Sequence, residues 1–180
     1  VPLRVRSHIL RLLGDQLVGH DRLAIFELVK NAYDADAEDV GVLVDLRANK
    51  IVIRDDGCGM TADIVKNHWL DIGTDSKRGR NRMRSKKFFR MPLGEKGVGR
   101  LAVQKLGSGF RMVTRSEGAP EILVELGWKD LIDSSDYVDG GLQVQVTERA
   151  DAIDFPGDQH GTLIEISGLT RKEWARKDLR

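Results

Sequence analysis

Residues 27–37, Glu-Leu-Val-Lys-Asn-Ala-Tyr-Asp-Ala-Asp-Ala, constrain the fold more than any other stretch of the sequence. Four apolar residues in and before this run recur at i, i+3, i+4 and i+7: Ile25, Leu28, Val29 and Ala32. Glu27 and Asn31 lie one helical turn apart on the other side. The pattern predicts an amphipathic helix, capped by Asp21 and running to about Ala35, whose polar face carries a carboxylate and a side-chain amide.

This polar face has two interpretations. A glutamate and an asparagine spaced like Glu27 and Asn31 occur together by chance in many helices, and in that case the polar face is simply solvated. Alternatively, the face belongs to a nucleotide site, with Glu27 as a general base toward a water molecule. Asn31 would then offer an oxygen ligand to Mg²⁺, a hard cation that prefers oxygen donors.

Composition limits the class of protein. The 180 residues are 41% hydrophobic and 32% charged, which is typical of one soluble globular domain. The net charge of +1 identifies neither a generally basic nucleic-acid binder nor an acidic protein. Cys58 is the single cysteine, no apolar run reaches the ~20 residues of a membrane span, and the first residues, Val-Pro-Leu-Arg-Val-Arg, lack the apolar core of a secretory signal. We therefore expect a cytoplasmic protein without membrane association.

Two predicted strands follow the helix, at residues 40–46 and 51–55, joined by a polar turn. Ile51, Ile53 and Asp55 share one face of the second strand because side chains alternate. If the isoleucines face the core, so does Asp55. A buried carboxylate is costly without hydrogen bonds, so this position requires a donor.

A glycine-containing turn, Asp55-Asp-Gly57-Cys-Gly59-Met60, comes directly after this strand. Its glycines allow a sharp turn and close approach to a ligand. The same residues also suit a simple turn into a helix capped by Thr61 and ending near Leu70. The two interpretations are compatible.

The composition changes between Lys77 and Arg90, where eight residues are Lys or Arg and none is acidic. Such a run is either a solvated loop or a contact for phosphates or nucleic acid. The motif Gly94-x-x-Gly97-x-Gly99 then opens a helix, where backbone N–H groups favour an anion. Its order differs from the dinucleotide and P-loop fingerprints, which disfavours both of those folds.

The rest of the chain alternates as strands do, at residues 110–115, 121–126, 142–147 and 162–166. The acidic connection 129–141 lacks the spacing of a calcium loop and is interpreted as a solvated turn. In the last strand Thr162, Ile164 and Ile166 share one face. Thr162 is thus a polar residue at one end of an otherwise apolar strand face, as Asp55 is on the second strand.

Four motifs in this order resemble the GHKL ATPases: Glu27 with Asn31, Asp55-x-Gly57-x-Gly59, Gly94-x-x-Gly97-x-Gly99, and Gly161-Thr162. That superfamily includes gyrase B, heat-shock chaperones, MutL, MORC proteins and sensor histidine kinases. The resemblance covers residues 6–170 and implies the α/β Bergerat fold. This is a two-layer sandwich whose mixed, mostly antiparallel sheet is covered by helices on one face. One ATP-binding domain would span residues 1–180, with a mobile lid at about 74–96.

The resemblance also implies roles for individual residues. Glu27 would activate the attacking water, Asn31 would bind Mg²⁺, and Asp55 would accept the adenine amino group, with Thr162 beside it through a water. The other implied nucleotide-binding residues are Gly57 and Gly59, which would admit the base, Met60, Lys77 near the phosphates, and the phosphate cradle of Gly94, Lys96, Gly97, Val98 and Gly99.

The implied function is Mg²⁺-dependent binding and slow hydrolysis of ATP to ADP and phosphate, with lid closure and homodimerisation as a conformational switch. The alternative is an ATP-gated nucleic-acid-binding module that uses residues 77–90. A histidine kinase ranks last, because that branch usually has asparagine at the position of Glu27. We expect the chain to be the N-terminal part of a longer protein. A following transducer domain often supplies a lysine to the γ-phosphate, so hydrolysis by this chain alone stays open.

Overall fold

The computed structural model describes residues 9, 12, 20–71, 84–94, 102–127, 144–171 and 174. Three α-helical segments and six strands occur in these residues: α1 (Asp21–Asp34), β1 (Val40–Asp45), β2 (Lys50–Asp55), α2 (Ala62–Ile64), α3 (Ala102–Leu106), β3 (Gly107–Arg115), β4 (Glu121–Gly127), β5 (Gln145–Arg149) and β6 (Gly161–Leu169). In the described part of the chain, no helix is both long and apolar enough to cross a membrane.

Helix α1 confirms the amphipathic pattern of the organising run. Its buried side chains are Ala24, Ile25, Leu28 and Ala32. The predicted start was wrong by one residue: His20 has the extended backbone of the N-cap and makes no side-chain capping bond, and Asp21 is the first helical residue. A carboxylate in the first turn still favours the helix by its interaction with the helix dipole.

The six strands form one sheet in the order β1-β2-β6-β3-β4-β5. Every strand pair among the described residues is antiparallel, so the parallel pairing of a mixed sheet is not found in them. Helices lie on one face, which confirms the α/β sandwich expected from the sequence. The fifth strand was predicted at 142–147 and lies at Gln145–Arg149.

The main core lies between the helices and successive rows of side chains that cross the sheet. In one row Ile53, Ile164 and Met112 are opposite one another on β2, β6 and β3. The row beside it contains Ile51, Ile166 and Phe110 in the same order. All six side chains belong to the buried cluster that includes the apolar face of α1. Burial of these side chains stabilises the fold by roughly 1.5–3 kcal/mol each.

The other face of the sheet is covered by the connection from β5 to β6. The fully buried carboxylate of Glu121 accepts hydrogen bonds from the backbone N–H groups of Ile153, Asp154 and Phe155, at 3.3, 2.8 and 3.0 Å. Arg115 donates to the carbonyl oxygen of Phe155 at 2.7 Å. These bonds fix the connection that leads into Gly161 and Thr162.

The predicted helix from Thr61 is confirmed in position but not in form. The Thr61 hydroxyl accepts a bond from the backbone N–H of Ile64 at 3.4 Å, as an N-cap does. After Ala62–Ile64 the chain continues as a π-helical turn, Val65–Trp69. Trp69 stacks on Phe110 with ring centroids 5.5 Å apart, so the wider turn brings its indole against the sheet.

Candidate functional site

A polar row crosses the helix-covered face of the sheet next to the apolar rows. Asp55 on β2 is opposite Thr162 on β6, and Thr162 is opposite Thr114 on β3. The row behind it, starting at Ile53, is entirely apolar. Because side chains two residues apart share a face, these three polar groups point toward the helices as the predicted strand pattern requires.

Asp55 obtains the donors that its burial demands. Its Oδ1 accepts hydrogen bonds from the backbone N–H groups of Gly57, at 2.9 Å, and Thr162, at 3.2 Å. Among the described residues nothing donates to Oδ2, which leaves one carboxylate oxygen for a ligand. Burial raises the pKa of Asp55 to about 6, although the two N–H donors act in the opposite direction.

Thr114 is a site residue that the sequence analysis missed. Its side chain is fully buried, and its hydroxyl accepts a bond from the backbone N–H of Met60 at 2.9 Å. The hydroxyl lies 3.1 Å from the hydroxyl of Thr162 and 3.0 Å from the carbonyl oxygen of Gly161. The alternation that indicated Asp55 and Thr162 also places Thr114 after Phe110 and Met112, and would have found it.

The glycines after β2 allow the turn to pack against the protein itself. A Cβ on Gly57 would lie 2.8 Å from the carbonyl oxygen of Ala35, at the end of α1. A Cβ on Gly59, whose φ is 59°, would lie 1.9 Å from the carbonyl oxygen of Arg115. The absence of a Cβ at these glycines therefore allows the backbone of Ala35 and Arg115 to approach closely. That the same glycines admit a base stays a prediction. His160 closes the turn through a 2.7 Å contact between Nδ1 and the carbonyl oxygen of Gly57.

The polar face of α1 carries Glu27 and Asn31 as predicted. Glu27 is half-buried and its Oε1 accepts a 2.9 Å bond from Lys30, while Oε2 has no donor among the described residues. The Asn31 side chain is exposed and makes no hydrogen bond within the described chain. The same residues contain no cluster of three acidic, His or Cys side chains for a metal. This donor set fits Mg²⁺, which typically binds few protein ligands together with substrate phosphates and water.

Two aspartates at the end of α1 hold residues 84–94, part of the predicted lid. Both oxygens of Asp34 are used: Oδ1 accepts from Leu93 at 2.7 Å and Oδ2 from Gly94 at 3.0 Å, both through backbone N–H groups. Asp36 is buried and accepts from the backbone of Lys87 at 2.8 Å and Phe88 at 3.4 Å. Neither contact could be predicted from the sequence, because the donors lie 51 and 59 residues further along the chain.

The described part of the basic segment has much of its charge engaged within the domain. Lys87 forms an ion pair with Glu38. Arg90 donates to the carbonyl oxygen of Ala37 at 2.8 Å and lies over the rings of Tyr33 and Phe88, at 4.6 and 4.5 Å. Residues 84–90 are therefore more than a solvated loop.

Several predicted site residues fall outside the described part of the chain: Lys77, Lys96, Gly97, Val98 and Gly99. Of the predicted glycine-rich motif only Gly94 is described, and its backbone binds Asp34. The lid at 74–96 is described only in part, so its extent stays a prediction.

Comparison with known proteins identifies the class of this domain. Residues 21–162 match the family of histidine kinase-, DNA gyrase B- and HSP90-like ATPases, and the chain belongs to that family. This confirms the GHKL resemblance of the four motifs. The family is one of ATP-binding domains, and the α/β sheet with its polar row agrees with it.

One relative and one solved structure extend the comparison. The chain is 32% identical over 94 residues to a protein of Herpetosiphon aurantiacus provisionally described as type II restriction enzyme HgiDII, covering 52% of this chain and 15% of that protein. The crystal structure of the N-terminal domain of a DNA repair protein superposes with a TM-score of 0.53 at 17% identity. It covers 89% of this chain and 39% of that one, and its likeness establishes the fold.

The anchoring by Asp36 gives a testable expectation. Burial alone would raise the pKa of Asp36, but hydrogen bonds from Ser85, Lys87 and Phe88 and the charge of Arg90 outweigh it and lower the pKa below 3.8. Asp36→Asn removes the charge that these donors favour. Losing about 1–2 kcal/mol of local stability should raise the rate of trypsin cleavage within residues 84–90 about tenfold at neutral pH.

Asp158→Asn, in an exposed turn, is the matched control and should leave the cleavage rate unchanged. Equal cleavage rates in wild type and Asp36→Asn would show that the carboxylate does not anchor the segment.

Proposed function

We propose that this domain binds ATP and hydrolyses it to ADP and phosphate in a Mg²⁺-dependent reaction. The polar row is the observation that carries the proposal. The Asp55 carboxylate, whose Oδ2 has no donor among the described residues, lies beside the hydroxyl of Thr162, and the next rows of the sheet are entirely apolar. The adenine ring has the matching character, because it is flat and apolar with a hydrogen-bonding edge at its amino group.

Glu27 and Asn31 provide the reactive end of the proposed site. Oε2 of Glu27 has no donor among the described residues and would orient and deprotonate a water molecule, and Asn31, one turn further along α1, would hold Mg²⁺. When bound, Mg²⁺ neutralises charge on the phosphates. The contribution of this chain is positioning, since phosphoryl transfer needs alignment and charge stabilisation more than covalent chemistry.

Closure of residues 74–96 and pairing of two chains belong to the same proposal. The support for closure is the arrangement at the end of α1, where Asp34 lies three residues after Asn31 and holds the backbone of Gly94. A ligand that shifts the end of α1 would therefore shift the start of the glycine-rich motif. This is the kind of contact through which a nucleotide changes the position of a lid.

Nucleic-acid binding through residues 77–90 has weaker support. The relatives include a protein provisionally described as a restriction enzyme and a DNA repair protein, which is a reason to consider it. However, Lys87 pairs with Glu38 and Arg90 with carbonyl oxygens, so these charges have partners already. We rank this function second.

Glu27→Gln tests the catalytic part of the proposal. The variant keeps the shape of the side chain but cannot take a proton, so phosphate release should fall at least ~100-fold while ATP affinity stays within about threefold. Titration with a non-hydrolysable ATP analogue, with and without Mg²⁺, measures affinity. Release of phosphate measures turnover.

Glu117→Gln, in the exposed turn between β3 and β4, is the control and should match wild type in both measurements. Undiminished turnover in Glu27→Gln would rule out Glu27 as the base. Failure of the wild-type chain to bind the analogue at any Mg²⁺ concentration would contradict ATP binding itself.

A further inference from the structure

Lys30 is buried more deeply than the glutamate with which it pairs. Its side chain is 17% exposed, against 34% for Glu27, and its Nζ lies 2.9 Å from the Oε1 atom of Glu27. Lysine is rarely buried to this extent without a partner, because removing an ammonium group from water is costly. The face of the Phe26 ring is its second partner, with 5.9 Å between Nζ and the ring centroid. In the described part of the chain, Glu27 and Phe26 therefore compensate for the burial of this charge.

This pairing restricts the side chain of Glu27. A glutamate side chain turns about three bonds, and an exposed one samples many rotamers. Here the Oε1 atom is bound to an ammonium group that has itself lost much of its freedom by burial. The Oε2 atom, which has no donor among the described residues, is therefore presented in a limited range of directions.

An exposed pair in the same domain shows the difference. Lys66 and Glu148 are 52% and 50% exposed, and their charged atoms are 3.4 Å apart. Exposed pairs contribute little, because water competes for the charges and two long side chains must be ordered. The pair of Lys30 with Glu27 is shorter and less exposed, and the glutamate precedes the lysine along α1, which is the favourable order on a helix. This pair is suited to hold a carboxylate in one place.

We propose that Lys30 is a positioning residue, which holds the Glu27 carboxylate so that its Oε2 atom faces the attacking water. The inference rests on the proposed function, in which Glu27 is the base. Phosphoryl transfer depends mainly on alignment, so a carboxylate that rotates freely would hold its water in line less often. Lys30 acts through Glu27 and does not itself touch the nucleotide.

Direct contact of Lys30 with the phosphates is the competing explanation, and it predicts different results. A lysine that binds phosphate contributes to nucleotide affinity, so its loss would weaken binding as well as turnover. Its contribution would also persist when the carboxylate of Glu27 is absent. A lysine that acts through Glu27 affects turnover alone, and only while that carboxylate is present.

A double-mutant cycle of Lys30→Met with Glu27→Gln separates the two explanations. Methionine removes the ammonium group but keeps an unbranched side chain of similar helix propensity, so α1 should still form. In Lys30→Met, kcat for phosphate release should fall about tenfold, while KM and the affinity for a non-hydrolysable ATP analogue stay within about twofold. Added to Glu27→Gln, the same substitution should change the residual turnover by less than about twofold.

Two further variants complete the cycle. Lys30→Arg restores a cation that can reach Glu27 and should return kcat to within about threefold of wild type. Lys50→Met is the matched control, because it removes another partly buried pair, in which Lys50 and Glu165 are 34% and 30% exposed and 3.0 Å apart. This pair joins β2 to β6, and its loss should leave kcat and KM unchanged.

Three outcomes of the cycle would overturn the proposal. The first is turnover by Lys30→Met within about twofold of wild type, which would make the pair catalytically irrelevant. The second is the same loss of turnover with and without the Glu27 carboxylate. The third is a loss of nucleotide affinity in Lys30→Met that accounts for its loss of turnover, which would assign Lys30 to the phosphates.

Nuclear magnetic resonance of the domain without nucleotide tests the restraint on Glu27 directly. Three-bond couplings to the Hβ atoms of Glu27 should correspond to one χ1 rotamer in wild type and to averaged rotamers in Lys30→Met. Averaged couplings in wild type would overturn the proposal whatever the kinetics. Absence of phosphate release by wild type is a different result, because it contradicts the proposed function while the couplings still show whether Lys30 holds Glu27.

Discussion

Replacing Asp55 with Asn should abolish ATP binding and, at the same time, stabilise the empty domain. Gly57 and Thr162 hold the Oδ1 atom through two backbone N–H groups, so the amide oxygen must take that place and the NH₂ group must face the ligand. A donor would then meet the adenine amino group. We expect affinity for a non-hydrolysable ATP analogue to fall at least ~100-fold in a calorimetric titration.

The gain in stability follows from the pKa of Asp55. Burial raises it from 3.8 to about 6, so between these values the folded state holds the proton more tightly than the unfolded state. The free energy of unfolding therefore decreases as pH rises through this window, and the full penalty, roughly 3 kcal/mol, is present at pH 7. Asn carries no charge, so it avoids this penalty. Asp55→Asn should therefore raise the free energy of unfolding by up to roughly 3 kcal/mol at pH 7, and should leave it unchanged once the pH is below about 3.8.

Asp56→Asn is a matched control with the opposite sign. The Asp56 carboxylate accepts backbone N–H bonds from Glu38 at 2.8 Å and Asp39 at 2.9 Å. Burial would raise the pKa of Asp56, but these bonds outweigh it and lower the pKa below 3.8. This charge stabilises the fold at neutral pH, and the benefit is lost as pH falls through the lowered pKa. Asp56→Asn should therefore lower stability at pH 7, and a loss of stability in both variants would refute the account of Asp55.

Gly59→Ala should be among the most destabilising single substitutions in the domain. Gly59 has a φ of 59°, and its added Cβ would lie 1.9 Å from the carbonyl oxygen of Arg115, which is backbone and cannot rotate away. The turn after β2 would have to move, together with the bond from Met60 to Thr114. We expect a loss of more than about 4 kcal/mol in urea unfolding, or failure to fold.

Gly157→Ala separates the steric cost from the cost of the backbone angle. Gly157 has a φ of 61°, yet nothing lies within 4 Å of its added Cβ. Gly157→Ala therefore carries only the cost of placing a residue with a Cβ in the left-handed backbone region, about 1–2 kcal/mol. Similar losses at both glycines would mean that the close approach to Arg115 carries no cost.

Local patterns predicted the parts of this domain that depend on neighbours in sequence. The period of 3.6 alone locates the apolar face of α1, and the period of two alone places Asp55 on the core side of β2. Thr162 followed from the same rule. These assignments need no information about which strands pair.

Contacts between distant residues could not be predicted in this way. Asp34 is the last residue of α1 and Asp36 follows it closely, but their partners at residues 87–94 are set by the path of the chain. Thr114 becomes a neighbour of Thr162 only because β3 pairs with β6 in one register. The exact start of β5 and the π-helical turn at Val65–Trp69 also depend on tertiary packing rather than on local preference.

The position of the polar row has a consequence for how such a domain diversifies. The row lies beside the apolar rows that hold sheet and helices together, and none of its three members belongs to the main apolar cluster. Substitutions at Asp55, Thr114 or Thr162 therefore change the polar groups on this face of the sheet without changing the isoleucines in the neighbouring rows. Under the proposed function, ligand preference could be altered at these three positions while the apolar contacts between sheet and helices stay the same.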